Sequence, residues 1–172
     1  MRTELSDGNV TIRAYGPGIE TQILEAARES LAEIGPAMRT WRDGARLEIA
    51  ERHVAETIDA WQRGEWFDFA IMCGDVLLGR IGLDHLRSAG TANVGYWVRT
   101  SRTRRGYATA AVRLVSQFGF EDLSLERLEL CMPHDHRASR RVAEKAGATF
   151  EGVDAAGSCI YVLARRTAYL EL

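Results

Sequence analysis

A change of apolar period near the middle of the chain constrains the fold more than any other feature of the sequence. Three apolar runs cover about residues 67–73, 76–86 and 92–99. They favour strands because they are short and bounded by turn residues. From Gly106 onward the spacing becomes helical, and one stripe holds Ala108, Ala111, Val112, Val115 and Phe118. Strands followed directly by an amphipathic helix predict a domain in which helices pack on a sheet.

Weaker patterns of the same two periods predict the remaining elements. Before the centre these are a strand over about 9–14 and helices over about 19–33 and 46–63. After it come a strand around 128–132, a helix over about 136–146 and strands over about 149–154 and 158–164. The predicted core stripe of the 136–146 helix is Ala138, Val142 and Ala146. This order predicts an α/β fold with a mixed sheet and helices on both faces.

The composition fits one domain spanning residues 1–172. Hydrophobic residues make up 46% of the chain, which is enough for a core, and charged residues make up 27%. The formal net charge is −2, so no excess of positive charge attracts nucleic acid or an anionic membrane. The apolar runs are too short to span a bilayer, and Met1–Asp7 lacks the apolar core of a signal peptide. We therefore expect a cytoplasmic protein.

The cysteines support that location. Cys73, Cys131 and Cys159 are odd in number, widely spaced and set among strand-like apolar residues. This arrangement predicts buried thiols in a reducing compartment rather than disulfides. Cys131 has no partner base at a recognisable spacing, so it is not predicted to be a nucleophile.

The loop before the central helix carries the strongest indication of a ligand. A strand ends near Val98, a loop with Arg102, Arg104 and Arg105 follows, and Gly106 opens the helix. The first N–H groups of a helix have no intrahelical partner and lie at the positive end of its dipole, where anions bind. Glycine also lets the backbone come close to a ligand. The loop therefore predicts a diphosphate site, with a solvated loop or a nucleic-acid contact as the alternative.

Two blocks of the sequence resemble the GNAT acetyltransferase family. The run Arg104–Thr109 resembles its pyrophosphate loop, Gln/Arg-x-x-Gly-x-Gly/Ala. The run Asp135–Gly147 resembles a later segment in which Asn-x-x-Ser opens a helix that ends Glu-Lys-x-Gly. The resemblance covers about three-quarters of the chain in the same element order. It implies a mostly antiparallel central sheet with helices on both faces, and transfer of an acetyl group from acetyl-CoA to a primary amine.

The resemblance also implies which residues bind acetyl-CoA. They are Val98, Thr100, Arg104, Arg105, Gly106, Tyr107, Ala108, Thr109, His136 and Ser139. The sequence departs from the family pattern at several of its positions. Thr103 stands in place of Gln or Arg, Arg104 stands where the ribosomal branch has Gly, and His136 replaces the Asn that contacts the cofactor. A histidine at position 136 can still donate a hydrogen bond.

By the same resemblance, the bound amine attacks the thioester directly, with no covalent enzyme intermediate. A backbone N–H near Val98, where the strand should separate from its neighbour, would polarise the carbonyl. Ser139 would protonate the departing thiolate, with an ordinary helix serine as the alternative. No base stands out in the sequence, and this favours a peptide α-amine. Such a group, with a pKa of about 7.8, is roughly one-seventh neutral at pH 7, whereas lysine is neutral about once in 2,500.

The predicted acceptor side is similar to the GNAT branch that acetylates the N-termini of ribosomal proteins. That likeness rests on Met38, Trp41, Trp61 and the strand around 67–71. We expect Met38, Trp41 and Asp84 to contact the acceptor, with core packing as an equal alternative for Met38 and Trp41. Asp84 and His85 are also candidate bases, with a solvated strand end as the alternative.

Other functions stay open at the level of the sequence. The acceptor could instead be a small amine such as a polyamine, an amino acid or an antibiotic, and a non-catalytic acyl-CoA-binding module is an alternative class. An RNA-associated module would need a broad basic surface, which the net charge does not provide. His134, Asp135 and His136 lack further clustered ligands, so no metal is expected and Asp135 is predicted to cap the helix. A monomer and a homodimer are both compatible with the sequence.

Overall fold

A sheet of eight strands forms the centre of the structure, a computed structural model that describes residues 1–87 and 90–165. The strands are β1 Glu4–Ser6, β2 Thr11–Ala14, β3 Phe67–Cys73, β4 Val76–Arg87, β5 Thr91–Val98, β6 Arg127–Pro133, β7 Thr149–Val153 and β8 Ser158–Ala164. They lie in the order β1-β2-β3-β4-β5-β6-β8-β7. Neighbouring strands are antiparallel except β5 and β6, which are parallel. The predicted mixed, mostly antiparallel sheet is confirmed.

Helices cover both faces of this sheet, as predicted. They are α1 Glu20–Glu29, α2 Leu31–Ile34, α3 Leu47–Arg63, α4 Tyr107–Glu121 and α5 Arg137–Ala146, with short 3-10 helices at Arg39–Trp41 and Thr100–Arg102. Phe69 and Ile71 of β3 share a core with α4, whereas the alternating residues Ala70 and Met72 share a second core with α1 and α3. Helix α5 packs beside α4. None of the helices in the described ranges is long and apolar enough to cross a bilayer.

Two N-terminal elements differ from the prediction. Strand β1 was not predicted, because Leu5 is its only buried residue and a single apolar residue shows no period. The helix predicted over 19–33 is broken at Ser30, where φ is −108°. Ser30 is buried, and its hydroxyl accepts a 3.0 Å hydrogen bond from the backbone N–H of Thr100. A contact 70 residues away in sequence therefore decides where α1 ends, and no local pattern carries it.

The cysteines divide into three environments. Cys159 is buried, Cys73 is half-buried and Cys131 is exposed, so the prediction of a buried thiol is wrong for Cys131. Leu130 and Met132 point into the core, and successive side chains of a strand point to opposite sides. Cys131 therefore lies on the outer side of β6, although its sequence neighbours are apolar.

A cluster of polar side chains is buried between the sheet and the α1–α3 layer. Arg80 of β4 forms an ion pair with Asp68 of β3, and Tyr15 and His53 lie close enough to interact with both charges. Burial lowers the pKa of His53 to about 4 and raises that of Tyr15. The Tyr15 hydroxyl has no hydrogen-bond partner among the described residues. This cluster lies on the sheet face away from α4 and α5.

Candidate active site

The parallel pair β5 and β6 opens into a wedge. Their ladder runs from Thr91 with Arg127 to Asn93 with Glu129, and no pairing follows in the described residues. Strand β5 nevertheless continues to Val98, still paired on its other side with Gly79 of β4. The two strands therefore separate beyond Asn93, as the sequence predicted, and leave the inner side of β5 facing a gap.

The backbone N–H of Val98 points into this wedge. The next residue, Arg99, donates its N–H to the carbonyl oxygen of Leu78 in β4 at 2.7 Å. Backbone groups of successive strand residues point to opposite sides. The N–H of Val98 therefore points away from β4 and towards the gap. That orientation suits a donor to a thioester carbonyl, and the role of Val98 stays a prediction.

Helix α4 begins with an open, uncapped N-terminus. Gly106 occupies the N-cap position with φ +84°, and no side chain bonds the first N–H groups. A Cβ placed at Gly106 would meet nothing within 4 Å, so the space above the backbone is free for a ligand. Tyr107, Ala108 and Thr109 form the half-buried first turn. The unpartnered N–H groups and the dipole together make this turn suitable for phosphate oxygens.

A cavity of about 390 Å³ adjoins the start of α4. Its walls include Arg105, Gly106 and Tyr107 on one side and Asn9 and Cys73 on the other. The cavity is therefore continuous with the predicted phosphate-binding turn and has an arginine on its rim. Neither Asn9 nor Cys73 was predicted from the sequence, because the start of β2 and the end of β3 reach α4 only in the folded sheet.

The loop between β5 and α4 is tied to the end of α1. The Glu29 carboxylate accepts from the backbone N–H of Ser101 at 2.9 Å and from Arg99 Nε at 2.8 Å. Hydrogen bonding from the Ser101 side chain and backbone, and then from Arg99, lowers the pKa of Glu29. The Thr100 N–H bonds Ser30 and its carbonyl oxygen accepts from the Thr103 hydroxyl, so this predicted cofactor-binding residue has its side chain to offer a ligand. Arg104 and Arg105 remain exposed beside the turn. Hydrogen bonds to the end of α1 thus fix one side of the loop, whereas Arg104 and Arg105 are exposed to solvent.

Arg104 has a left-handed backbone, with φ +61°. This explains why the resembling pattern has glycine at that position, since a left-handed conformation costs an L-residue about 1–2 kcal/mol. We expect Arg104→Gly to be more stable than Arg104→Ala by about 1 kcal/mol, or about 2–4 °C in melting temperature. The order of stability of the glycine and alanine variants should reverse at position 105. There φ is not positive, so glycine only increases the conformational entropy of the unfolded chain. Equal melting temperatures of the two position-104 variants would contradict the assignment.

His136 caps helix α5 through its side chain. Its Nδ1 accepts a 3.3 Å hydrogen bond from the backbone N–H of Ser139. The prediction that Asp135 is the cap is therefore wrong, because the helix starts one residue later and the imidazole fills the role of the shorter carboxylate. An accepting Nδ1 places the proton of a neutral imidazole on Nε2. That Nε2 lies 3.5 Å from Ser139 Oγ and faces it as a donor.

Ser139 lies on the inner face of α5. It is half-buried, Ala143 one turn later is fully buried, and Ala138 is exposed. Val142 and Ala146 of the predicted stripe pack against the core, so the prediction is wrong only for its first member, Ala138. Ser139 lies beside this stripe, and its hydroxyl faces inward.

Tyr96 is a site residue that the sequence analysis missed. It lies on β5 two residues before Val98, and strand alternation puts both side chains on the α4 and α5 side. Its hydroxyl is buried, without a partner at hydrogen-bonding geometry among the described residues. Burial raises the pKa of Tyr96, and the neighbouring Ser139 hydroxyl lowers it in part. The period-2 pattern through Val98 was the signal that could have identified it.

The predicted acceptor residues are spread over the opposite side of the sheet. Trp41 is fully buried in the α1–α3 core with its ring edge against His53, which favours the packing alternative, whereas Met38 is half-buried at the rim of that core. Asp84 accepts a 2.9 Å hydrogen bond from Asn93 Nδ2, at the point where β5 and β6 part. Asp84 itself lies on β4, so β5 separates it from β6. The His85 side chain lies outside the described part of the structure.

The histidine pair near α5 is not assembled as a metal site. His134 Nδ1 lies 3.4 Å from the buried Cys159 Sγ, while His136 points to Ser139. Across residues 1–87 and 90–165, no group of three or more histidine, cysteine or acidic side chains is placed to hold a metal ion.

Comparison with known proteins gives a consistent set of relatives. Residues 14–149 match the family model described as an acetyltransferase (GNAT) domain. Two proteins of Bacillus subtilis strain 168 are similar in sequence. "Putative ribosomal N-acetyltransferase YdaF" is 35% identical over 84% of this chain and 80% of that protein. "Probable N-acetyltransferase YjcK" is 31% identical, but the match spans only 62% of this chain and 61% of YjcK.

A solved structure agrees at the level of the fold. It is a RimL ribosomal L7/L12 alpha-N-protein acetyltransferase in complex with coenzyme A, with a TM-score of 0.83. The superposition covers 92% of this chain and 95% of that one, at 18% sequence identity. At this identity the likeness establishes a shared fold only.

Proposed function

Because the chain belongs to the GNAT acetyltransferase family, we propose that it transfers an acetyl group from acetyl-CoA to the N-terminal α-amine of a protein. The observation that carries the proposal is the separation of β5 from β6 beyond Asn93, which leaves the Val98 N–H directed into the wedge. Ser139 faces inward from α5, and the uncapped turn at Gly106 begins α4. The single-domain organisation over 1–172 and a cytoplasmic location belong to the same proposal.

The α4 turn and its arginines would bind the diphosphate of acetyl-CoA. Unpartnered N–H groups and the helix dipole favour anionic oxygens at Gly106, and Arg104 and Arg105 add positive charge. Since the space at Gly106 is open, phosphate oxygens can contact the backbone without displacing protein atoms. His136 stands where the family has asparagine; its two ring nitrogens face Ser139, so it would contact the cofactor with its exposed ring.

The wedge would hold the thioester and the attacking amine. The Val98 N–H donates to the carbonyl oxygen, so that negative charge developing on it is stabilised. The amine nitrogen forms a bond to the carbonyl carbon as the carbon–sulfur bond breaks, and Ser139 donates its proton to the sulfur. The amine proton passes to water, which in turn reprotonates Ser139. Asp84 of β4, which accepts from Asn93 at the last paired residue of β5, would bind the ammonium form of the acceptor.

Two considerations support an α-amine as the acceptor. Over 84% of its length the chain is similar to a protein whose name assigns it to ribosomal N-acetylation. An α-amine is also neutral often enough near pH 7 to react with a weak or water-relayed base, whereas lysine needs a strong one.

An acetyl-CoA turnover assay tests the proposal. Thiol release would be followed with peptides that have a free N-terminus, with the same peptides N-terminally blocked but carrying a lysine, with polyamines and with aminoglycosides. We expect turnover with free-N-terminus peptides that exceeds turnover with blocked lysine peptides by at least about 100-fold, as the neutral fractions suggest. Preference for a small amine would shift the assignment to that class. Acetyl-CoA binding with no turnover on any amine would favour the non-catalytic alternative.

A further inference from the structure

The Tyr96 hydroxyl is an uncompensated polar group in the core. It is buried and has no hydrogen-bond partner among the described residues. Such a group costs stability, and the great majority of buried polar atoms are hydrogen-bonded. The same ring without the hydroxyl would fill the space without that cost. A contribution to the stability of the fold therefore does not explain why this residue carries a hydroxyl.

Its position relates it to the proposed chemistry. Tyr96 and Val98 share one side of β5, in the stretch that has lost its pairing with β6. The neighbouring polar group is the hydroxyl of Ser139, which faces inward from α5. Catalytic hydrogen bonds are often long in a ligand-free site and shorten when the substrate binds. Ser139 is near enough to lower the pKa of Tyr96, so we expect a bond between the two oxygens when the substrate is bound.

We infer that Tyr96 is a positioning residue whose hydroxyl donates to Ser139 Oγ and so directs the Ser139 hydrogen towards the thioester sulfur. The inference rests on the proposed function, because it assigns Tyr96 a role only if Ser139 protonates the leaving group.

The donors around Ser139 support this geometry. His136 Nε2, which carries the proton of the neutral ring, faces Ser139 Oγ at 3.5 Å. With Tyr96 as a second donor, both lone pairs of the serine oxygen are occupied. The single hydroxyl hydrogen must then point elsewhere, into the wedge. Tyr96 keeps its proton throughout: the sulfur receives the Ser139 hydrogen as the carbon–sulfur bond breaks, and the oxygen is reprotonated from water.

Tyr96→Phe tests the assignment, because it removes only the hydroxyl. In the otherwise wild-type protein we expect kcat with acetyl-CoA and a free-N-terminus peptide to fall by about 10–100-fold. In a Ser139→Ala background the same change should reduce kcat by less than about threefold, since residues that act through one another are not additive. The melting temperature should stay the same or rise, because a buried unsatisfied hydroxyl is removed.

Tyr15→Phe is the matched control. It also deletes a buried tyrosine hydroxyl that has no partner, but on the opposite face of the sheet. It should give a similar melting temperature and an unchanged kcat. Wild-type kcat in Tyr96→Phe, or an equal loss with and without Ser139, would overturn the inference and leave the proposed function standing. A fall in kcat accompanied by a lower melting temperature of Tyr96→Phe would show a structural role for Tyr96 and would also overturn the inference. Absence of turnover in the wild type would overturn the proposed function, and the inference with it.

Discussion

Gly106→Glu is expected to abolish acetyl-CoA binding, with a loss of affinity of about a thousandfold or more. The substitution puts a side chain into the open space over the first turn of α4 and a negative charge where phosphate oxygens are proposed to lie. Two like charges about 4 Å apart near a protein surface repel by about 4 kcal/mol, which corresponds to about a thousandfold in affinity. Titration calorimetry with acetyl-CoA measures the effect directly.

Gly157→Glu provides a control with nearly the same backbone. Its φ is +85°, against +84° for Gly106, and a Cβ at either glycine meets nothing within 4 Å. Both substitutions therefore put an L-residue at the same positive φ and add the same charge, and we expect both to lower the melting temperature. Only Gly106→Glu should lose acetyl-CoA. Unchanged affinity in that variant would remove the α4 turn from the cofactor site.

Ser139→Ala is expected to lower kcat by about 10²–10⁴-fold, the range of a lost general acid. The serine is only half-buried and its backbone N–H, which bonds His136, is retained. The cap of α5 should therefore survive, with the melting temperature and the dissociation constant of acetyl-CoA close to those of the wild type. Steady-state kinetics at saturating acceptor, with chemistry shown to be rate-limiting, gives the answer.

Ser116→Ala serves as the comparison for Ser139→Ala. Ser116 is a buried helix serine whose hydroxyl bonds the Val112 carbonyl oxygen of its own helix, and the change should leave kcat unaltered. If Ser139→Ala also kept wild-type kcat, the thiolate would leave unaided. A thiol with a pKa near 8.5 is already a fair leaving group. Catalysis would then rest on positioning and on the Val98 N–H.

Local patterns predicted most of the fold because its elements bury continuous faces. The stripe of α4 through Ala111, Val112, Val115 and Phe118 is buried in full, and so is the alternation of β6 through Leu128, Leu130 and Met132. Sequence patterns failed to predict the end of a helix where a contact with a residue distant in sequence determines it. The break of α1 at Ser30 depends on the N–H of Thr100, which lies 70 positions later.

The candidate site was predicted unevenly for a related reason. Gly106 was identifiable from sequence because its neighbours form a local motif at a helix start. Strand alternation through Val98 could have pointed to Tyr96, but the residue at which β5 parts from β6 is set by the sheet register, and no local pattern carries it. For α5, apolar spacing identified Val142 and Ala146, which pack against the core, but not the exposure of Ala138 at the first turn of the helix.

Because the ladder between β5 and β6 is short, we expect the two halves of the sheet to open separately, although one apolar core contacts both. Three residue pairs among the described residues join β1–β5 to the β6-β8-β7 half, whereas β3 and β4 pair along most of their length. Local opening follows the weakest junctions of a fold. Amide hydrogens of β6 and β8 should therefore exchange with solvent together, and faster than those of β3 and β4. A ligand bound across the gap would contact both halves of the sheet. It should slow amide hydrogen exchange in both halves, including at residues that it does not contact.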